Sequence, residues 1–342
     1  MRRKRTTMKD VADAARVSST TASLVLGGRA DEFRIHADTR RRVMEAADRL
    51  GYIPSGSTRR TPASQSPPLW VVFAPSDLEA GPINSFLRGL NRFITENSVP
   101  VTSSLMPYET GSVNARARWM QPSFASGFVF VGLDDADLRF IANEHFDVPA
   151  VFYNRVVGQH ASVMVDDYAG GGLVGEHFLE RGLERFALLA TPQVSSPISM
   201  RAAGFMDALR ARGLHDAEAS VQRVVLDPSD EDQMADALDS IRVDERLGVF
   251  VLHDGQTTAT MQWTKRRNLQ VPADVEIAVY GDTAAHRTND PSLTSVAIPS
   301  EEMGYECAQT LHHLTATPTL TGVRRTFQAS LVLRQSSPGR DD

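Results

Sequence analysis

At 342 residues, of which 42% are hydrophobic, the chain is long enough to bury two or three cores of ordinary domain size. Its single cysteine, Cys307, excludes an internal disulfide and a cysteine metal cluster, which fits a reducing compartment. The formal net charge of −6 excludes a protein whose whole surface binds nucleic acid.

The N-terminal residues and the lengths of the apolar runs indicate the cellular compartment of the protein. Basic residues 2–5 resemble the start of a secretory signal, but polar residues follow where its apolar core would stand. No apolar run approaches the ~18 to 20 residues that span a bilayer. We therefore expect a cytoplasmic protein that has no membrane partner.

Charge is distributed unevenly along the chain. Residues 1–60 contain 14 Lys and Arg against 7 Asp and Glu, a net +7, whereas the remainder has 22 against 35, a net −13. A basic head on an acidic body indicates that only the N-terminal segment meets phosphate groups.

The basic head has the pattern of three short helices. Residues 7–10 have the form of a capping box, and Val11, Ala14 and Ala15 then make one apolar face. Ser18 is placed to cap a second helix, and a third is expected from about residue 37 to residue 51.

The second helix is expected to present outward side chains of a size that suits phosphates and base edges, namely Ser19, Thr20, Thr21, Ser23 and Leu24. The capping residues Thr7 and Ser18 complete the predicted DNA contacts of the head. Local pattern alone leaves the alternative of a small helical domain with a solvated basic face.

Beyond the head, residues 55–68 have almost no apolar side chains and are expected to form a linker. Short apolar runs then alternate with segments of helical period, which predicts βα units with parallel sheets. The candidate strands are 69–74, 127–131, 150–153, 186–190, 248–252 and 276–280, and the candidate helices are 85–96, 168–181, 200–212, 230–240 and 256–267.

Several segments resemble the lactose-repressor (LacI/GalR) family of bacterial transcription regulators. In the head they are residues 8–12, 17–23 and 39–54; in the body they are 165–171, 201–204, 251–254, 291–296 and 331–336. They follow one another in order with the expected spacings and cover nearly the whole chain. A single motif of this kind would be weak evidence, whereas the series is specific.

The resemblance implies an all-α helix-turn-helix head and a two-lobed α/β body similar to periplasmic binding proteins, with parallel sheets. The expected domains are 1–54 for DNA binding, 55–68 as hinge, and 69–337 for effector binding and dimerisation. The lobes are expected at about 69–161 with 292–322, and at 162–291 with 323–337. The implied function is a homodimeric regulator, a repressor in most members, that binds near-palindromic operator DNA under the control of a small molecule.

The head and hinge depart from the family pattern at several positions. Arg16 stands where the family turn has glycine, and Leu24 stands where many members have arginine. The hinge has Gly56 and no leucine to wedge into the minor groove. Arg59 and Arg60 offer either contacts in a narrow minor groove or a solvated linker, and both readings stay open.

In family terms the effector lies between the lobes, at the carboxyl ends of strands. The positions that match its binding residues are Ser76, Asp77, Asn154, Arg201, His253, Asp254 and Asp282. This set of side chains favours a sugar or sugar acid. His253 in place of the usual asparagine, and Gly281 in place of the first aspartate of a usual pair, weaken that assignment.

Two other classes of function, an enzyme and a free-standing solute-binding protein, are alternatives to a regulator. An enzyme is disfavoured because no nucleophile elbow, phosphate-loop lysine or metal-spaced histidine pair occurs, and no metal or cofactor is expected. A free-standing solute-binding protein would match the body alone, but the basic head and the absence of an export signal disfavour it.

Overall fold

The structure is a computed structural model, and it describes residues 7–26, 30, 33, 35–49, 68–76, 78, 80–192, 195–214, 217–227, 230–317 and 322–340. The chain divides into two compact units, Met1–Pro67 and Pro68–Asp342. We call the first unit the head and the second the body.

The described part of the head contains three helices: α1 (Met8–Ala15), α2 (Ser19–Leu26) and α3 (Ala37–Arg49). Small and branched side chains such as Val11, Ala22 and Val43 are buried where the helices pack. The sequence placed Ala14 on the apolar face of α1, which is wrong, because Ala14 is exposed. Ala12 is buried in its place, beside Val11 and Ala15.

The first sheet of the body contains six parallel strands in the order β11-β5-β4-β3-β1-β2. Their bounds are β1 Leu69–Pro75, β2 Thr102–Tyr108, β3 Gly127–Phe130, β4 Ala150–Tyr153, β5 Ala161–Val165 and β11 Arg324–Phe327. The helices that belong to this first lobe are α4 (Ala80–Glu96), α5 (Asp135–Ile141) and α12 (Ser300–Ala316).

The second sheet also has six strands, in the order β12-β10-β9-β8-β6-β7, and only the pairing of β12 with β10 is antiparallel. Their bounds are β6 Arg185–Ala190, β7 Val221–Val225, β8 Leu247–Val251, β9 Val275–Tyr280, β10 Thr294–Ala297 and β12 Ser330–Val332. The accompanying helices are α6 (Asp167–Glu180), α7 (Ser196–Ala211), α8 (Ala217–Ser220), α9 (Glu231–Asp239), α10 (Thr257–Arg266) and α11 (Ala284–Thr288).

The chain changes from one sheet to the other at the ends of strands. The expected lobe bounds assigned residues 162–165 and 324–327 to the second lobe and 294–297 to the first, whereas the structure pairs these strands in the opposite sheets. The physical reason is that a strand completes its ladder of backbone hydrogen bonds in one sheet before the chain leaves it. The exchange of strands between lobes is as expected, but each crossover comes a few residues later.

Both faces of each sheet are covered by buried apolar side chains. Phe73, Phe130 and Phe152 stack across three neighbouring strands on one face of the first sheet, and Phe86 and Met303 pack on the other. Parallel strands buried on both faces are near-continuous in hydrophobicity, which is why the sequence showed them clearly. The polar ends of the same strands remain to form a site.

Candidate DNA-binding helices and effector cleft

The first helix of the head begins with the expected capping box. The Thr7 hydroxyl accepts from the Asp10 N–H at 3.3 Å, and the Asp10 carboxylate accepts from the Thr7 N–H at 2.7 Å. The acidic side chain also lies at the positive end of the helix dipole. This confirms the start of α1 and leaves Thr7 exposed beside it.

The turn between α1 and α2 forces a non-glycine residue into the left-handed region. Arg16 has φ 54° and ψ 51°, and its N–H donates to the carbonyl groups at the end of α1. The Arg42 guanidinium of α3 donates to the carbonyl oxygen of Ala15 at 2.7 Å. The conformation that glycine adopts without strain is therefore held here by a side chain from the third helix.

The second helix presents hydroxyl groups outward. The Ser18 hydroxyl accepts from the Thr21 N–H at 3.1 Å, so Ser18 caps the helix as the sequence predicted. Ser19, Thr20 and Ser23 are exposed, whereas Leu24 is half-buried. The outer face of α2 thus offers short donors and acceptors of the size that base edges and phosphates require.

Two predicted DNA contacts, Arg59 and Arg60, lie outside the described residues, as does the predicted effector residue Asp77. Ser76, directly after β1, is exposed, and its N–H donates to the carbonyl oxygen of Tyr108 at 2.7 Å. This backbone hydrogen bond joins Ser76 to the end of the neighbouring strand β2.

Asn154 follows β4 and is buried in a left-handed conformation with φ 51°, which asparagine tolerates better than most residues. Its side-chain oxygen accepts from the Val165 N–H at 3.1 Å, and its amide donates to the Asp167 carboxylate at 2.9 Å. Asp167 is the first residue of α6, where the chain passes from the first sheet into the second lobe. Asn154 is thus fixed against the crossover.

Arg201 is held by three groups. Its Nε donates to Asp167 at 2.8 Å, its Nη1 donates to the Leu252 carbonyl oxygen at 2.8 Å, and its guanidinium lies 3.7 Å from the ring centroid of Tyr280. Burial raises the pKa of the Tyr280 hydroxyl, so this ring stays neutral under the cation. These three contacts fix the orientation of the Arg201 guanidinium.

The ends of β8 and β9 carry the remaining predicted residues. His253 is exposed, and its Nδ1 accepts from the Gly255 N–H at 3.2 Å. The Asp254 carboxylate lies 2.5 Å from Nε2 of His286, and the ring of His286 is buried. The other ring nitrogen of His286 lies 3.0 Å from the carbonyl oxygen of Gly281, so one histidine bridges the two strand ends.

Asp282 is also paired. Arg334 lies 2.8 Å and Arg287 3.0 Å from its carboxylate oxygens. Arg334 belongs to the segment after β12 and also donates to the carbonyl oxygen of Leu293. The carboxylate is therefore partly neutralised by the C-terminal segment of the body.

The structure thus joins Asn154 and Arg201 through Asp167, and it places Asp254 beside the loop that carries Gly281 and Asp282. The sequence missed the partners that hold these residues, namely Asp167, Tyr280, His286 and Arg334. Asp167 follows a strand that the sequence did not predict, and His286 lies far along the chain from Asp254. Three signals were available: Tyr280 ends a predicted strand, and Asp167 and Arg334 lie within the family-like segments 165–171 and 331–336.

Among the described residues, no group of three or more His, Cys, Asp and Glu is arranged to hold a metal ion. No helix in the described ranges is long and apolar enough to cross a bilayer.

Two family profiles match the chain. The family described as bacterial regulatory proteins, lacI family, matches residues 7–55, and the periplasmic binding protein-like domain matches residues 176–337. The HTH-type transcriptional regulator CelR of Thermobifida fusca is 26% identical over 344 residues, 98% of this chain and 99% of CelR. The ribose operon repressor of Escherichia coli strain K12 is 24% identical, with 97% and 99% covered.

Solved structures show the same fold. The complex of the transcriptional regulator CelR with cellobiose has a TM-score of 0.66 at 24% identity and covers 97% of this chain and 100% of that one. The lac repressor dimer bound to operator and the anti-inducer ONPF has a TM-score of 0.66 at 23% identity, with 98% and 100% covered.

A helix-turn-helix head and a two-lobed α/β body define a DNA-binding transcription regulator under ligand control. Residues 7–55 thus match the lacI family of bacterial regulatory proteins, and nearly the whole chain is similar to transcription regulators such as CelR and the ribose operon repressor. The match of residues 7–55 to a regulator family rules out a free-standing solute-binding protein.

Proposed function

We propose that this chain represses transcription as a homodimer on a near-palindromic operator and that a sugar or sugar acid bound between the lobes controls its affinity for DNA. Residues 1–54 bind DNA, 55–68 act as a hinge and 69–337 form the effector and dimerisation domain, without a catalytic role. The named relatives support this proposal, since they include a ribose operon repressor and a regulator solved with cellobiose.

The observation that carries the proposal is the bonded series Asn154, Asp167, Arg201. Asn154 belongs to the first sheet, Arg201 belongs to α7 of the second lobe, and Asp167 stands at the crossover between them. A ligand with several hydroxyl groups offers donors and acceptors to all three side chains. Because the series connects the lobes, such a ligand binds one arrangement of the lobes more tightly than another.

Control of DNA affinity follows from that difference. A ligand shifts a conformational equilibrium only by its differential affinity for the two states. The effector acts as an inducer if it favours the DNA-free arrangement of the lobes and as a corepressor if it favours the DNA-bound one. Operator affinity measured with and without ligand assigns the sign.

Selection of duplexes from a random pool by the full chain tests DNA recognition. We expect a near-palindromic site whose affinity falls steeply with salt, because the +7 head releases counterions from phosphates. Deleting residues 1–60 should abolish this binding. Affinity that is unchanged between low and moderate salt, or retained without residues 1–60, contradicts the proposal.

A further inference from the structure

A second arginine, Arg155, lies at the same end of the first sheet and is not among the predicted effector residues. Its Nε donates to the Leu133 carbonyl oxygen at 2.8 Å, and its Nη1 donates to the carbonyl oxygen of Asn154 at 2.8 Å. Leu133 follows β3 and Asn154 follows β4. The guanidinium therefore spans the carboxyl ends of two parallel strands, which is where sheets of this kind bind ligands.

Both described partners of Arg155 are neutral carbonyl groups. Within the part of the chain that the structure describes, Arg155 forms no ion pair, and Asp167 and Asp135 act on it only at longer range. The side chain is half-buried, and burial lowers the pKa of its guanidinium from the ordinary value. A cation in this position has lost part of its hydration without gaining a carboxylate in return.

The described acidic residues of the cleft, unlike Arg155, all have side-chain partners that are cationic or donate hydrogen bonds. Asp167 is paired with Arg201, Asp254 with His286, and Asp282 with Arg334 and Arg287. Each of these carboxylates already has a cationic or donor group at hydrogen-bond distance, which reduces its repulsion of an incoming anion. An anionic ligand would therefore gain most from binding to Arg155, whose positive charge has no carboxylate at hydrogen-bond distance among the described residues.

We propose that the effector carries an anionic group, a carboxylate or a phosphoryl group, and that Arg155 binds it while the Asn154, Asp167 and Arg201 series binds its hydroxyl groups. The proposal rests on the proposed function and names the class of ligand within it. Nε has donated its single N–H and Nη1 one of its two, so Nη2 and the second N–H of Nη1 remain to donate to the anion. Arginine is suited to this task because its charge persists at every physiological pH.

The test compares ligands that differ only in charge. The full chain is heated with D-glucose, D-glucuronate, D-gluconate, D-glucose 6-phosphate or inorganic phosphate at constant ionic strength. Ligands that raise the Tm are then titrated by calorimetry, since binding to the folded state stabilises it by mass action. The two acids report a carboxylate, the sugar phosphate reports a phosphoryl group, and inorganic phosphate reports the anion without the sugar.

Three variants complete the design. Arg155→Gln removes the positive charge, and Arg155→Lys keeps a positive charge but lacks the planar guanidinium. Arg139→Gln is the control, because it removes an exposed arginine from α5 of the same lobe. We expect an anionic sugar to bind the wild type more tightly than glucose does. Its Kd should rise about 10-fold or more in Arg155→Gln, the size typical of a lost hydrogen bond between charged groups. Arg155→Lys should recover part of the loss, and Arg139→Gln should change Kd by less than about twofold.

Three results overturn the inference: equal Kd in wild type and Arg155→Gln, glucose binding as tightly as its anionic forms, or no stabilisation by any anionic member of the set. Unliganded Tm and affinity for the selected duplex are measured for every variant, so a folding defect is separated from a loss of ligand. Failure of the proposed function looks different, because the full chain then selects no duplex. If the chain selects a duplex but is stabilised by glucose alone, the proposed function stands and the proposal of an anionic effector is wrong.

Discussion

Asn154 and Arg201 bond to opposite oxygens of one carboxylate, that of Asp167, at 2.9 and 2.8 Å. Asn154 extends from the first sheet and Arg201 from a helix of the second lobe. The carboxylate is buried at the crossover, so its charge depends on these two partners for compensation. The side chains proposed to bind the effector thus also stabilise the body.

This double role sets the expected effect of truncating Arg201. Arg201→Ala should remove effector binding and also destabilise the body by about 2–4 kcal/mol, because a buried carboxylate loses its cation. Arg201→Lys keeps the charge but not the planar fork, so it should retain more stability than ligand affinity. Thermal unfolding and ligand titration of both variants measure the two effects, and an Arg201→Ala chain with wild-type Tm and Kd would refute both roles.

A second prediction concerns the turn of the head. Arg16→Gly should stabilise α1 and α2 by about 0.5–1 kcal/mol, because glycine adopts a positive φ without the steric cost that arginine meets at 54°. Hydrogen exchange of the amides in α1 and α2 of the full chain measures this locally. Faster exchange in the variant would mean that side-chain contacts of Arg16 outweigh the backbone strain.

The fold could be read from the sequence where strands are buried on both faces. The six predicted strands all occur, within a residue or two of their expected ends, because their apolar runs are nearly continuous. The edge strand β2 was missed since Thr102–Tyr108 exposes most of its side chains and contains polar residues. The strands β11 and β12, each at the edge of its sheet, were missed for the same reason, because Arg324–Phe327 and Ser330–Val332 have no fully buried side chain.

The candidate site was predictable only in part, for a different reason. Asn154 and Arg201 were found by their place in family motifs, but no local pattern pairs Arg201 with Asp167 across 34 residues. Asp254 and His286 likewise meet only because β8 and β9 are neighbours in the sheet. Partners that tertiary structure brings together leave no spacing in the sequence for a pattern to detect.

Operator specificity provides a third prediction. Leu24 is half-buried on α2, and its methyl groups can pack on a thymine methyl but cannot donate to guanine. Leu24→Arg should therefore move the preference at one base pair of each half-site towards G·C. Identical operator profiles for the two proteins in a duplex selection would exclude a contact at this position.

The C-terminal segment of the body makes stability depend on pH through His177. Ser337 donates from its hydroxyl to the buried carboxylate of Glu276 at 2.6 Å and lies 2.7 Å from His177 Nε2. Because the hydroxyl proton is used towards Glu276, Nε2 must donate to Ser337. Burial lowers the pKa of His177, so the folded chain holds this ring neutral at a pH where the unfolded chain protonates it.

The free energy of unfolding should accordingly fall as pH drops through the ordinary histidine range near ~6.5, by up to about 1.4 kcal/mol per pH unit for this proton. His177→Gln should make the slope between pH 7.5 and 5.5 shallower, even if the variant is less stable at neutral pH. His145→Gln is the matched control, because that side chain is 91% exposed. Equal slopes for wild type and His177→Gln would show that other groups carry the pH dependence.

The last prediction concerns two glycines of α4 that differ in what surrounds them. A Cβ on Gly89 would lie 1.7 Å from the Glu301 carbonyl oxygen, because α4 and α12 cross there in backbone contact. Among the described residues, a Cβ on Gly81 would meet only the methyl group of Thr283, at 3.9 Å. Gly89→Ala should therefore destabilise the body by about 1–3 kcal/mol or more, since the two helices must separate. Gly81→Ala should be neutral or stabilise the body by up to about 1 kcal/mol, because alanine favours a helix over glycine.

Urea unfolding of both variants measures the change in the free energy of unfolding. Helix propensity alone predicts that Gly89→Ala stabilises the body, whereas the contact between α4 and α12 predicts that it destabilises the body. Equal stabilisation by the two substitutions would mean that the crossing of α4 and α12 is looser than its geometry indicates.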